Sequence, residues 1–485
     1  MGWGQDILTA SCTAEPVPLH VEPGTLLGAL AAHEDPAMLD SAARHETYGR
    51  YSVLSCRPLQ VLTLKEGVLS DREGKTLATG GRAIWEALAR AFGSVVLRAP
   101  PGGSCPPYLP GWIGYVGYEV GRHVEKLPGR AVRDTHLPDL RLAFYDCLLV
   151  YDALDRRWWL VRLDFDSPPP GAGRSAEALR EIIAGGPNAP DPASAPVPCC
   201  PGEAQTNFTQ EGYRRAIARC VEYIAAGDIF QVNLSQRFTV RRAPAPRAIY
   251  RELRRGNPAS YAAYLSFRAD GHDCAVLSSS PELFLRVRGD RVITRPIKGT
   301  RPRVGEQRAD DAAASDLWNS PKDNAELAMI IDLLRNDLGR VCRYGSVRVA
   351  EPRCLETHPT VFHLVGTVEG QLRGGIGPAD LLRATFPGGS ITGAPKIRAM
   401  EIIDELEPCA RGVYTGCIGI VGVDGASEWN IAIRTIVCED GVALVQAGGG
   451  IVADSTPQGE YDETLDKARA MLQAIAMAGR YQPPM

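Results

Sequence analysis

The chain has 485 residues, 45% hydrophobic and 23% charged, which is too long for one ordinary core and excludes a disordered or fibrous protein. A formal net charge of only −4 excludes the broad basic field that nucleic acid or an anionic membrane surface would need, so neither is expected as a partner. The cysteines number 13, an odd count without a CxxC pair at zinc spacing, and predict free thiols in a reducing cytosol; adjacent Cys199 and Cys200 sit in a proline-rich stretch unsuited to a metal.

The opening MGWGQDILTASC has no basic n-region and no sustained apolar stretch, and no apolar run reaches bilayer-spanning length, so a cytoplasmic protein is expected. Before about residue 165, RYSVLSCRPLQVLTL and FYDCLLVYDALDRRWWLVRLDF alternate as strands and hairpins do. Residues 166–205 turn proline-rich around a short helix-like SAEALREIIAG and predict a linker. The division expected is a β-rich domain over 1–190 and a second domain over 206–485.

The second part opens with TQEGYRRAIARCVEYIAAGD, in which Tyr213, Ile217, Val221 and Ile224 recur at helical spacing. IFQVNLSQRFTV follows as a strand, and further helices are predicted at 323–339, 395–406 and 460–478. Between them AVLSSSPELFLRVRG, RVITRPI, VFHLVGTVEG, YTGCIGIVGVDG, EWNIAIRTIVCED and VALVQAGGGIVAD read as strands. Long sheets with a few helices predict an α+β fold rather than a βαβ succession.

Two of the predicted helices carry the same acidic spacing. Asp323 and Glu326 are three apart, as are Glu460 and Glu463, so each pair shares one helix face. Either pair alone is an ordinary solvated face or a dipole partner at a helix start. If the faces meet, the four acids need a counter-cation, and magnesium with two direct and two water-mediated carboxylates fits. Gly448, Gly449 and Gly450 in QAGGGIV would let backbone amides approach an anion, although a bend or bulge is the commoner cause of such a run. FPGGSITGAPK at 386–396 is a second candidate anion loop and lacks P-loop spacing. On local sequence alone, His363 reads as a satisfied core histidine and Glu282 as a strand-end charge. Partial burial would suit Glu282 to general-acid work. Lys298, in TRPIKGTRPR, reads as either a surface cation or a nucleophile.

GDIFQVNLSQRF, SSSPELF, PIKGTRPR, DLLRNDLGRV, VFHLVGTVEG, FPGGSITGAPK, YTGCIG and QAGGGIV…PQGEYDET occur in one order over about residues 227–470. In that order they resemble the chorismate-utilising enzymes, the family of anthranilate synthase component I, aminodeoxychorismate synthase component I and the isochorismate and salicylate synthases. GRYSVLS and PGWIGYVGYEVGRHVEKLP extend the resemblance less sharply to the N-terminal part. It implies a four-layer α/β/β/α core with two large, mostly antiparallel packed sheets. It implies Glu326 and Glu463 as direct Mg2+ ligands, with Asp323 and Glu460 acting through water; Asp323 stands where a glutamate can occur. It implies Tyr414 and Arg434 on the enolpyruvyl carboxylate of chorismate, with the amides of Gly448, Gly449 and Gly450 beside it. Ser390 and Lys467 are implied as further substrate contacts, Glu282 as the general acid for the departing 4-hydroxyl, and His363 as a histidine beside the ring.

Members that add water at C2 carry a lysine base where this chain has Gln231. Members that aminate at C2 typically have alanine where this chain has Lys298, and those that aminate at C4 carry PIKGT, as here. The resemblance therefore implies C4 amination through a covalent Lys298 adduct at C2, towards 4-aminobenzoate and folate. Burial and cations such as Arg295 or Arg301 would lower the lysine's pKa. The resemblance also implies ammonia from a separate glutamine amidotransferase subunit, and this sequence shows no GxCxG elbow of its own. Tryptophan is a candidate ligand of the N-terminal part, which resembles the tryptophan-binding part of feedback-regulated relatives. The alternatives are C2 amination and, more remotely, a non-catalytic chorismate- or tryptophan-binding regulatory subunit.

Overall fold

The computed structural model describes residues 7–43, 48–100, 105–186, 201–358 and 361–480. Most of the proline-rich stretch, residues 187–200 with Cys199 and Cys200, lies outside them, and the helix Arg174–Gly185 precedes it.

Two large sheets carry the fold. The first has 13 strands and runs Gln205–Thr206, Gln231–Arg241, Val442–Ile451, Thr435–Glu439, His272–Ser280, Tyr261–Ala269, Ala37–Asp40, Tyr51–Ser55, Cys147–Asp152, Arg157–Phe165, Leu8–Val17 and Val95–Leu97, with Gly393–Ala394 beside Gln231–Arg241. The second has 12 strands and runs Ile297–Pro302, Val361–Gln371, Arg291–Arg295, Leu283–Arg288, Ser427–Asn430, Cys417–Gly422, Gly111–Val116, Leu140–Tyr145, Gln60–Lys65, Val68–Ser70 and Thr76–Thr79, with Arg348–Thr357 beside Val361–Gln371. Among these strands the pairing is antiparallel except for Leu8–Val17 with Val95–Leu97. Strands from both sides of the expected boundary pair within both sheets: Ala37–Asp40 with Tyr261–Ala269, and Gly111–Val116 with Cys417–Gly422.

The sheets pack face to face through one apolar cluster that includes Val53, Val150, Leu265 and Val276 from the first and Ile113, Tyr115, Ile418 and Ile420 from the second. A second cluster seats the helices Arg174–Gly185, Pro246–Gly256 and Pro457–Arg480 on the outer face of the first sheet. A third seats Gly81–Phe92, Pro321–Gly339 and Pro378–Thr385 on the second, and it extends to Lys396–Leu406, which packs on the first-sheet strands Gln231–Arg241 and Gly393–Ala394. The order is therefore helix, sheet, sheet, helix, the α+β architecture expected. The helices predicted at 323–339, 395–406 and 460–478 form, as does Gln210–Ala225 with Thr209 capping its N-terminus. Gly81–Phe92, Pro246–Gly256, Gln307–Asn319 and Pro378–Thr385 are additional.

Two segments that read as single strands each break and pass from one sheet to the other. AVLSSSPELFLRVRG ends in the first sheet at Ser280 and resumes in the second at Leu283. Pro281 stands in the gap, where its missing N–H leaves no ladder bond unmade. EWNIAIRTIVCED leaves the second sheet at Asn430 and enters the first at Thr435, with Arg434 in the left-handed region at φ 51°. The crossings are joined: Ile431 N–H donates to Glu282 O at 3.0 Å and Ser279 N–H to Arg434 O at 3.0 Å.

Because each sheet is completed by strands from both parts of the chain, neither part should fold alone. Residues 1–186 and 201–485 expressed separately should each aggregate or lack a cooperative thermal transition by circular dichroism, and co-expression should restore a co-purifying pair with one transition.

Candidate active site

Lys298 lies in the strand Ile297–Pro302, on the edge of the second sheet nearest the helix Pro321–Gly339. The next residue must be glycine: Gly299 has φ +78°, and a Cβ there would come within 2.8 Å of the Asp323 carboxyl carbon. The lysine residue is half-buried while its ammonium lies deep in the cleft. Burial lowers its pKa below the usual lysine range; Glu326 opposes this, Lys467 adds to it, and Glu282 and Glu463 oppose it more weakly. The cations expected to do this are engaged elsewhere, which corrects that part of the reading. Arg295 donates to Glu356 at 2.7 Å and lies 3.8 Å from the Tyr48 ring centroid. Arg301 pairs with Asp316 at 2.6 Å and Asp323 at 3.1 Å.

The sheet crossings put Glu282 and Arg434 at this cleft. Glu282 is 5% exposed, and Ser390 Oγ donates to its Oε1 at 2.7 Å. Burial pushes its carboxyl up to about 7, against the pull of Ser390 and Lys298. That keeps a proton available near neutral pH. The Arg434 guanidinium is drawn below its usual value by burial, with Tyr414 and Glu463 opposing, and it donates to Lys467 O at 3.3 Å. Tyr414 is buried, and burial raises its phenol. Buried His363 sits 2.9 Å from Thr300 Oγ1 through Nδ1, and burial with the nearby His358 and Arg434 lowers it to about 3. Its ring is therefore neutral at working pH.

The acid pairs come from two helix starts, as their spacing predicts. Ser320 Oγ accepts the Asp323 N–H at 3.2 Å at one start, and Thr456 Oγ1 accepts the Gly459 N–H at 3.2 Å at the other. The helix Pro457–Arg480 packs on the glycine strand Val442–Ile451, and Pro321–Gly339 packs on the lysine strand. Glu326 is raised by burial and, secondarily, by Asp323 and Glu463, while Lys298 and Lys322 oppose. Burial also raises Glu460, whose Oε1 accepts from Ser455 Oγ at 2.6 Å; its buried Oε2 has no partner among the described residues. Glu463 is pushed up by burial but ends below its usual value because Lys467 Nζ is 2.5 Å away. Lys467 also donates to Gly448 O at 2.9 Å. Among the described residues no three of the four acids bring oxygens within 4.8 Å of one another. An all-oxygen set of this openness, with one buried oxygen orphaned, suits a hard cation that keeps several waters.

The glycine run serves its neighbours. A Cβ on Gly449 would come within 2.8 Å of Glu460 Oε2, and one on Gly450 within 2.6 Å of Gln231 Nε2 and 3.5 Å of Lys298 Nζ. Gln231 is fully buried, and neither atom of its carboxamide finds a partner among the described residues. Behind Tyr414 lies a group that single positions in the sequence do not announce. Arg411, 4% exposed, donates to Glu407 at 2.8 and 2.6 Å, to Asn233 O at 2.7 Å and to Ile391 O at 3.0 Å. Glu407 Oε1 also accepts from Ser235 N–H at 2.8 Å and Ser235 Oγ at 2.7 Å. The four-residue spacing of Glu407 and Arg411 was the available signal.

A family profile described as chorismate binding enzyme matches residues 50–473. Anthranilate synthase component 1 of Thermus thermophilus is 40% identical over 450 residues, covering 91% of this chain and 92% of that protein. Aminodeoxychorismate synthase component 1 of Bacillus subtilis is 38% identical over 434 residues, covering 89% and 90%. The crystal structure of anthranilate synthase component I from Streptococcus pneumoniae superposes with a TM-score of 0.70 at 31% identity, covering 87% of this chain and 92% of that one. The menaquinone-specific isochorismate synthase of Escherichia coli shares the fold, with a TM-score of 0.70 at 17% identity over 97% and 96%. The chain belongs to the chorismate-binding, chorismate-utilising enzymes. The names of its relatives divide between anthranilate synthase component 1 and aminodeoxychorismate synthase component 1, so similarity alone does not choose between the two.

Arg411→Ala would strand a buried carboxylate and should cost about 3–5 kcal/mol. Urea denaturation followed by tryptophan fluorescence reads that loss.

Proposed function

We propose that the chain is the aminating component of aminodeoxychorismate synthase, replacing the 4-hydroxyl of chorismate by ammonia from a glutaminase subunit. The observation that carries this reading is Lys298: an amine with a pKa lowered by burial, set beside Glu282, whose carboxyl burial pushes up to about 7, and the acid pairs. PIKGT, the sequence of the C4-aminating branch, supports it.

Lys298 attacks ring carbon C2 as the neutral amine. The two ring double bonds shift towards C4, the C4–O bond breaks, and the Glu282 proton goes to the departing oxygen, so water leaves. Ammonia then attacks C4, the double bonds shift back, and the C2–N bond breaks to return the lysine. The net change is one hydroxyl exchanged for one amine, with water released. Arg434 and Tyr414 take the enolpyruvyl carboxylate, Ser390 and Lys467 contribute further contacts, and neutral His363 lies beside the ring. Magnesium on Glu326 and Glu463, with Asp323 and Glu460 holding its waters, would supply positive charge at the ring carboxylate. Gln231 is a neutral carboxamide and cannot act as the base that water addition requires.

Incubation with chorismate, magnesium and ammonium salt should give aminodeoxychorismate. Fluorescent anthranilate instead would assign the C2 amination and the anthranilate synthase activity for which the Thermus thermophilus relative is named. Lys298→Ala should abolish C4 amination while still binding chorismate, and mass spectrometry of the wild type without ammonia should show a protein–substrate adduct that the variant lacks. An undiminished rate in the variant overturns the covalent route.

The pH profile of kcat/KM should be a bell. The reacting form needs Lys298 neutral and Glu282 protonated at once, so the two groups bound the bell between them, one limb lying near 7 from Glu282 and the other below the usual lysine range from Lys298. Glu282→Gln should remove the limb near 7 and lower the rate by about 10²–10⁴-fold.

A further inference from the structure

Away from the acid cleft, a second set of side chains has metal-ligand chemistry of a different kind. The segment 124–139 leads into the second-sheet strand Leu140–Tyr145 and carries His136 across to the ends of two first-sheet strands. These ends hold His272, at the start of His272–Ser280, and Glu439, at the end of Thr435–Glu439. One nitrogen of each imidazole and one Glu439 oxygen all lie within 4.8 Å of one another. The two rings stack with centroids 3.9 Å apart and planes 16° from parallel. His136 Nδ1 contacts Glu439 Oε1, and its backbone N–H reaches both oxygens of that carboxylate at 3.2 Å.

The surroundings select for a cation held by nitrogen. Asp440 Oδ2 lies 2.5 Å from His272 Nδ1, and Asp440 is itself fixed by the Asp273 N–H at 2.9 Å. A carboxylate on one ring nitrogen sets the tautomer and leaves the other nitrogen as a lone-pair donor, the arrangement typical of metal-bound histidine. Two stacked imidazoles repel when both carry protons, whereas two neutral ones with a carboxylate make the N,N,O set of a tetrahedral zinc-type ion. Tetrahedral bonds of about 2.0–2.2 Å put ligand atoms roughly 3.3 Å apart, so binding turns the imidazoles out of their parallel stack until their in-plane lone pairs converge, with water as the fourth ligand. His136 and Glu439 are already in contact, and an ion entering there replaces the proton they share.

The place has a consequence. His136, Lys65 and Glu66 line one part of a cavity of about 360 Å³ whose lining also includes Arg411 and Tyr414; Lys298 and the four acids do not line it. We propose that His136, His272 and Glu439 form a site for one borderline divalent transition-metal ion of the zinc class, which fastens the 124–139 segment to the first sheet beside the cavity behind Tyr414. Magnesium does not compete there, because imidazole donors suit softer ions.

The test uses the full chain in millimolar magnesium, titrated with Zn2+ against a chromophoric chelator and separately with Co2+ followed by visible absorption. Expected are one ion per chain, tetrahedral Co2+ bands, and a melting temperature that rises with Zn2+. His136→Ala and His272→Ala should each abolish the bands and the rise. Asp440→Asn should weaken binding by about 10–100-fold while leaving the bands in place. All three positions are at the surface and outside the catalytic set, so circular dichroism and ammonia-dependent turnover without Zn2+ should match wild type. Absence of Zn2+ uptake overturns the proposal. Uptake or bands that persist unchanged in both histidine variants also overturn it, and would assign the ion to the thiols.

Discussion

The paired crossings between the sheets are the constraint on which the site depends. Two neighbouring chain segments leave their sheets at the same level, and each crossing supplies the other's hydrogen-bond partner: Ile431 N–H to Glu282 O, and Ser279 N–H to Arg434 O. A strand that stayed in its sheet would present alternate residues to the sheet's two covered faces. By leaving, the chain sets one carboxyl and one guanidinium facing the same cleft from two directions. Arg434 adopts a positive φ at this point, a backbone cost that the surrounding bonds must hold in place.

The charges around Lys298 form a balanced system about a buried amine. Glu326, Glu282 and Glu463 favour its ammonium, whereas burial and Lys467 disfavour it, and burial is the larger effect. The same burial raises the Glu282 carboxyl to about 7, so that a share of it keeps its proton near neutral pH. An amine biased towards neutrality and a carboxyl biased towards protonation are what a nucleophile and a general acid require, and here one physical cause produces both. Arg411 and Glu407 stiffen the wall behind, since their hydrogen bonds tie the strand Gln231–Arg241 to the segment at Ile391 and the Arg411 guanidinium lies over the Tyr414 ring.

Local pattern in the sequence was enough to place the helices that carry the acids, because apolar period and N-cap chemistry are written within a few residues. It also placed Lys298, Gly449 and Glu282 on or beside strands. It could not show that AVLSSSPELFLRVRG and EWNIAIRTIVCED change sheets midway, because both sides of each break have the same apolar character. The pKa partner of Lys298 was misassigned for a related reason. Arg295 and Arg301 are its neighbours in the chain, but Glu356, Asp316 and Asp323 engage them, and Lys467 arrives from a helix more than 160 positions away. Gln231 was legible only as the absence of a base; its isolation beside Gly450 is a product of packing.

The composite sheets also bear on how the polypeptide emerges from the ribosome. The strand Gly111–Val116 waits for Cys417–Gly422, and Ala37–Asp40 waits for Tyr261–Ala269. Hundreds of residues must be made before the earliest edges are covered, so contact order is high and closure comes late in synthesis. A nascent chain of this design exposes open β edges for most of its translation, which makes it a natural client for chaperones that shield such edges.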